Sequence, residues 1–368
     1  MNNPSNEIVV LTNTALDYWK NGAIIESLAT YEKALKTATD SLIRDQILYN
    51  CGLVAASNSE DASFPNYSKA ISYLSKVKNL PWSDKAGWNL ALSNLHTGNW
   101  KEGISKYHYR YSSGNSNEYT SVTFPALPLP RATCLKDLDH KKVLVLNEQG
   151  FGDEIMFSAS FDFLKNIRTK KCVIQCYPEL LGLFCTLFYG YSMNFFDTRS
   201  LSYDFVMHFD TWTSTGDLFA MANKENIRRS IPLRVKPLDE IDTQNSIGIC
   251  FCANKKSPNH HLRDMPADFI NDLKERCQKE NITVYSLQKD PAPDWCIPLD
   301  EKADFYYTAR LVSSLRRVVT IDTAVAHLAG RLGIPTTLVW SKHVGWIWKY
   351  EDENRMNMLY PTVEVKRI

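Results

Sequence analysis

The sequence predicts an α + α/β protein: helical repeats at the N-terminus, then two successive units in which strands alternate with helices. Three observations carry this. Over residues 1 to about 112, small residues, aromatics and glycines recur at helical spacing. From Lys141 onward, short β-branched runs alternate with longer apolar-periodic stretches. That alternation breaks once, at the polar, proline-containing stretch Lys236–Asn245, and then resumes.

Composition sets the outer bounds. The chain has 368 residues, enough for two or three domains. Hydrophobic residues at 44% and charged residues at 23% are ordinary for a globular protein. The net charge of +1 gives no ground for a nucleic-acid surface. No apolar run is as long as a membrane span, and the polar start MNNPSNE does not read as a signal peptide. The nine cysteines form no CxxC pair and no zinc spacing, so reduced thiols in a cytoplasmic protein are expected.

In the first region, Ala15–Leu35 places Ala15, Tyr18, Gly22, Tyr31 and Ala34 in the small, aromatic, turn, aromatic, small order of a tetratricopeptide repeat. Small residues let antiparallel helices approach, and the aromatics fill the gap to the next pair. A second unit carries Gly52, Ala70 and Leu74, with a polar insertion around Asn58–Phe64. A third carries Leu90, Gly98, Trp100 and Tyr107. Residues 113–140 read as a linker, because prolines 125, 128 and 130 favour extended chain. Within it, Asp137-Leu138-Asp139 matches a metal-holding D-x-D pattern but precedes a strand, which favours solvated loop charges.

Residues 141–240 form the first α/β region. Strands are expected at Val143–Leu146, Val173–Cys176, Asn194–Phe196 and Phe205–His208, with helices at Glu154–Asn166, Glu179–Phe188 and Asp217–Ala222. Residues 245–368 form the second. Strands are expected there at Ile247–Phe251, Thr283–Leu287, Val318–Ile321 and Thr336–Trp340, and helices at Ala267–Lys279, Tyr306–Ser314 and Thr323–Arg331. Two such sets joined by a hinge imply two Rossmann-like lobes with a cleft between them.

Two clusters carry the chemistry. The first is VLVLNEQGFGDEIMF at 143–157: a buried strand, a glycine turn containing Gln149, Gly150 and Gly152, then Asp153 and a helix. This order puts backbone N–H groups and a positive helix end at the top of a parallel sheet. The third glycine of a dinucleotide fingerprint is absent at Ile155, and no Walker pattern occurs, so neither an NAD enzyme nor a nucleotide triphosphatase is expected. The second cluster is TIDTAVAHLAG at 320–330. Asp322 or Thr323 either caps the helix or frames N–H groups at Thr323–Val325 that receive a diphosphate. His327 is either a core histidine or a donor ligand. His208 and Asp210 are expected to end a strand of the first lobe, as candidates for ligand contact. Lys342 and His343 end one of the second lobe. Trp346, Trp348 and Tyr350 either line the cleft or pack in the core.

Together these clusters resemble bacterial proteins that join tetratricopeptide repeats to a GT-B glycosyltransferase module similar to the lipopolysaccharide heptosyltransferases. The order of parts is also similar to the O-linked N-acetylglucosamine transferases. The resemblance rests on GNWKEGISKYHYRY at 98–111, NEQGFGDEIMF at 147–157, VYSLQK at 284–289, ADFYYTARLVSSLRRVVTIDTAVAHLAGRLGIP at 303–335 and the ending WIWKYEDENRMNMLYPTVEVKR. It implies a first lobe facing the acceptor and a second holding a nucleotide-sugar donor. It places a general base on Asp153 and donor contacts on Asp322, Thr323, Ala324 and His327. The chain departs from the family after the second lobe's first strand, where ICFCANKKSPNHHLRDMP keeps only Asn254 and Arg263. Lys255, Lys256, His260 and His261 there either neutralise a diphosphate or form a solvated basic loop.

The implied reaction is inverting glycosyl transfer, without metal or resident cofactor, from a nucleotide-sugar to a protein or glycan acceptor, with the repeats as a possible partner groove. The competing expectations are a degenerate module serving as a binding scaffold and a nucleotide-sugar epimerase, which has no reason to carry the repeats.

Overall fold

The computed structural model describes residues 4–57, 63–111, 127–164, 166–191, 193–197, 201–255, 260–289 and 292–368. Most of the polar insertion, much of the expected linker, and Lys256 lie outside the described residues. The chain divides into two compact units, Met1–Phe124 and Pro125–Ile368. Among the described residues, no helix is long and apolar enough to cross a membrane.

The first unit is helical: α1 (Pro4–Lys20), α2 (Ile24–Thr37), α3 (Ser41–Ala55), α4 (Tyr67–Leu74), α5 (Trp82–His96) and α6 (Trp100–Ser105). They pack in succession, α1 on α2, α3 on α4 and α5 on α6. Gly22 turns the chain between α1 and α2 at φ +77°, where a side chain is strained. Buried Ala15 and Ser27 then bring the two helices together, the Ser27 hydroxyl donating to the Ala15 carbonyl at 2.8 Å. Gly52 lets α3 touch α4, since a Cβ there would lie 2.5 Å from Leu74. Tyr31 fills the core as expected, whereas Tyr18 is 40% exposed and fills no gap.

The second unit holds two sheets. The first is parallel, with β1 (Lys142–Leu146), β2 (Lys171–Gln175), β3 (Asn194–Phe196) and β4 (Thr211–Ser214) in the order β3-β2-β1-β4. Its helices are α7 (Phe151–Phe157), α8 (Phe161–Leu164), α9 (Pro178–Leu187), α10 (Tyr203–Val206) and α11 (Thr215–Ala222). The second sheet, also parallel, contains β5 (Ser246–Cys250), β6 (Thr283–Ser286), β7 (Arg317–Thr320), β8 (Thr336–Trp340) and β9 (Val363–Arg367) in the order β6-β5-β7-β8-β9. Its helices are α12 (Ala267–Lys279), α13 (Phe305–Ser313) and α14 (Ala324–Leu332). Strand order reverses between β1 and β4 and again between β5 and β7. In open parallel sheets the crevice at such a reversal, beyond the carboxyl ends of the strands, is where ligands sit.

Three expectations change. The strand expected at Phe205–His208 is helix α10, and the real strand, β4, begins at Thr211. Its residues Thr211, Thr213 and Ser214 are buried although polar, so an apolar pattern could not reveal it. Part of the linker belongs to the second unit: the Ala132 N–H donates to the Trp212 carbonyl at 2.8 Å, and Leu138 is fully buried. The hinge stretch is pinned. Arg310 donates to the carbonyls of Lys236 and Pro237, and the Leu238 N–H donates to the Ser314 hydroxyl at 2.7 Å.

The two sheets share one apolar core. It runs from Val143, Ile174 and Phe184 to Val318, Val325 and Leu328, with α7 packed on α14 and α9 on α13. Within it Arg331 of α14 is buried. It donates to the Ser158 hydroxyl and carbonyl, to the Ser230 hydroxyl and to the Ile231 carbonyl, and it lies 3.6 Å from Asp162. The ion pair therefore ties the second sheet's helix to the first sheet's.

Candidate functional site

The glycine turn follows β1 at the first reversal point. Gln149 adopts φ +64°, a left-handed conformation, and Tyr177 at the end of β2 holds it by donating to its carbonyl. Gly150 is the N-cap of α7, and its N–H donates to Asp153 Oδ2 at 3.1 Å. Asp153 thus reaches back to the start of its own helix and satisfies one of its first N–H groups. Its carboxyl is nevertheless pushed up to about 6: loss of water outweighs the Gly150 bond, and the charges of Asp322 and Glu148 add to it. A group near neutrality suits proton transfer better than an ordinary aspartate does.

Beneath the turn lie two acids that sequence reasoning did not single out. Glu148 Oε1 accepts from the Ser214 hydroxyl at 2.6 Å and the Gly216 N–H at 2.8 Å. Glu154 Oε1 accepts from the Glu148 N–H and the Thr215 hydroxyl, both at 2.7 Å. One signal pointed to Glu154: it lies three residues before Phe157 and so shares that side chain's buried face of the helix.

The second turn follows β7. Asp322 is committed to the fold: Oδ2 accepts from the Gly345 N–H at 2.6 Å and Oδ1 from the Trp348 indole at 2.7 Å. It latches the short helical turn Trp346–Lys349 and does not cap α14. Thr323 is the N-cap by position, but its side chain makes no capping bond; its hydroxyl sits 3.6 Å from the Cys250 sulfur. The first N–H groups of α14 therefore lack a side-chain cap. His327 is a core residue, 4.7 Å from the Trp348 ring and 3.2 Å from the Tyr360 hydroxyl. Burial pushes its imidazole down to about 4, so it is neutral.

The two turns meet. A Cβ on Gly152 would lie 3.2 Å from His327 Cδ2 and 3.4 Å from Ala324 Cα, so the glycine lets the start of α7 rest on the start of α14. Gln149, Gly150, Gly152, Asp153, Ala324 and His327 thus belong to one locality. Arg263 reaches it, its Nη1 lying 3.4 Å from the Asp322 carbonyl. The loop after β8 is tied nearby, since the Ser341 hydroxyl and the His343 N–H both donate to the Leu262 carbonyl. Burial lowers His343, with Arg263 and Lys349 adding to the effect against Asp322. Lys255 and Lys342 are exposed on these loops.

His208 does not belong to this locality. It follows α10, its Nδ1 sits 2.6 Å from the Asp204 carbonyl, and it precedes β4, so it lies at the opposite end of the sheet from the glycine turn. Asp210 lies at the same end, accepting from the Lys142 N–H at 2.8 Å. Trp348 is fully buried and packs in the core; Trp346 is partly exposed, 6.5 Å from Phe219. Asp137 caps its own turn, accepting from Thr133 and Cys134 N–H groups.

No protein-family model matches the sequence, and no curated protein matches it. Solved structures do align with it. The iron-containing dodecameric glycosyltransferase TibC from enterotoxigenic E. coli H10407 aligns at 10% identity and a TM-score of 0.42, over 57% of this chain and 62% of TibC. This chain therefore spans less than two thirds of TibC's length. The E. coli ADP-heptose heptosyltransferase II aligns at 13% identity and a TM-score of 0.44, over 62% of this chain and 90% of that one. A family 9 glycosyl transferase from Veillonella parvula aligns at 9% identity and a TM-score of 0.42, over 62% of this chain and 88% of that one. At such values the likeness assigns no activity to this chain.

Proposed function

We propose that the Pro125–Ile368 unit transfers a glycosyl group from a nucleoside-diphosphate sugar to a hydroxyl acceptor, with inversion and Asp153 as general base. The observation that carries this is the meeting of the two turns at Gly152 and Ala324. It sets an acid held near neutrality beside a helix start without a side-chain cap. In the reaction the acceptor oxygen attacks the anomeric carbon as its proton passes to Asp153. The bond from that carbon to the phosphate oxygen breaks, and the nucleoside diphosphate leaves with the electron pair. The α14 amides and Arg263 stabilise the leaving charge, with Lys255 and Lys342 on the flanking loops. Asp322 and His327 serve by packing: one holds the Trp346–Lys349 turn and the other supports Gly152. No metal or resident cofactor is assigned. The helical pairs of the first unit, read as tetratricopeptide-class repeats, would present a protein or glycan acceptor in a cytoplasmic setting.

The test is thermal unfolding with UDP, GDP, ADP and CMP, each in excess, followed by sugar release with the nucleotide that binds. A ligand at a hundred times its Kd adds about 2.7 kcal/mol, a shift of several degrees. Asp153→Asn is expected to keep that shift and to lose transfer by on the order of a hundredfold or more. Normal turnover by this variant would remove Asp153 from the role. A second reading, a catalytically silent binding scaffold, is favoured by the internal commitment of Asp322 and His327. No shift with any nucleotide would select it.

A further inference from the structure

The glycine turn stands on two carboxyl groups that the proposed transfer does not use. Glu148 and Glu154 are 2% and 0% exposed. Through Ser214 and Gly216, Glu148 sits on the first turn of α11, where the helix dipole favours an anion. Glu154 is placed differently. Its Oε1 accepts two hydrogen bonds, but its Oε2 is buried with no hydrogen-bond partner. An anion with one oxygen bare inside protein is costly. A neutral carboxyl with its proton on that oxygen avoids most of the cost.

The surroundings favour the same assignment. Burial raises Glu154 well above the usual glutamate range, and the charges of Glu148 and Asp153 add to it. From the connection between β2 and α9, Cys176 and Tyr177 face it, both raised by burial and neutral at physiological pH. On α11, which packs against α7, Asp217 lies 3.9 Å from Arg131. From α14 comes the neutral His327, against Gly152. Glu148 is among the charges that raise Asp153.

We propose that Glu154 is a positioning residue kept as a neutral carboxylic acid, which with anionic Glu148 braces the Gln149–Asp153 turn against the end of β4. The brace fixes where Asp153 presents its carboxyl. Its value to catalysis rests on the transfer reading above, but the brace itself is testable without substrate.

The experiment is a carbon-13 NMR titration of the Asp153 carboxyl in the full chain. In the unsubstituted protein the midpoint is expected near 6. Glu154→Gln replaces one neutral group by another and is expected to leave it there. Glu148→Gln removes a charge and is expected to lower it. Glu154→Leu removes the acceptor and is expected to drop the midpoint toward the ordinary aspartate value. Should that variant fail to fold, Thr215→Val removes only one arm and is expected to give a smaller drop. A Glu154→Gln midpoint lowered as far as that of Glu148→Gln would show a charged Glu154 and overturn the proposal. An unmoved midpoint in both Glu154→Leu and Thr215→Val would overturn the brace. If the titrations behave as expected but no nucleotide stabilises the unsubstituted protein, the transfer reading fails and the brace stands.

Discussion

The turns after β1 and β7 have the same plan, a buried strand, a tight bend and a helix, yet they spend their carboxylates in opposite ways. After β7, Asp322 gives both oxygens to Gly345 and Trp348, so its charge is consumed in holding a neighbouring turn. After β1, the structural work falls to Glu148 and Glu154 beneath the bend, and Asp153 is left with one backbone bond and a carboxyl near 6. Reactivity at such a site depends on which acids the fold has already committed. Two acids in similar sequence settings are not interchangeable candidates.

The largest expected effect breaks the committed side. Asp322→Ala leaves the Gly345 N–H and the buried Trp348 indole without their acceptor and is expected to destabilise the unit by about 3 kcal/mol. Urea unfolding measures it. A loss within experimental scatter would mean that the Trp346–Lys349 turn holds itself.

A smaller effect comes from separating the two turns. Gly152→Val drives methyl groups at His327 and the Ala324 backbone and is expected to cost about 1–3 kcal/mol. Gly152→Ala meets mainly the edge of the His327 ring at 3.2 Å and is expected to cost much less. Equal losses in both would show that the contact is not tight.

The smallest effects lie in pH dependence, and here Asp153 and His327 oppose each other. Asp153 rises from 3.8 to about 6 on folding, so the folded state keeps a proton that the unfolded chain releases. Its contribution falls as pH rises through that window and is flat above it. His327 falls from 6.5 to about 4, so the unfolded chain takes up a proton that the folded state refuses. Its contribution rises over nearly the same window. Asp153→Asn is expected to gain stability relative to the unsubstituted protein from pH 4 to 6, by up to about 1 kcal/mol after solvent screening. His327→Phe is expected to expose the opposite slope, with stability declining as pH rises over that range. Parallel pH profiles for the two variants would contradict the assignment.

Much of this architecture was legible because its signals are local. Helix α12 and strands β3 and β8 fall where periodicity places them, and the periodic apolar residues Ile155, Met156, Phe161 and Leu164 are all buried. What stayed hidden depends on partners distant in sequence. Strand β4 reads Thr-Trp-Thr-Ser, and nothing in those letters says that Glu148 would receive Ser214 from 66 positions away. His208 went to the wrong end of the sheet because its strand was placed a few residues early. The β9 edge strand, Val363–Arg367, pairs in parallel with β8, a match that no short-range pattern announces. The oxygens of Asp322 could be assigned only once Trp348 had a position.

The shared core and buried Arg331 make the α/β unit one thermodynamic species. Cutting the chain at the 236–245 stretch would strand Arg331 in one fragment and Asp162 in the other, each uncovered along its apolar side. Neither half is a viable domain to express alone. In calorimetry the two sheets are expected to melt in a single transition whose van't Hoff and calorimetric enthalpies agree.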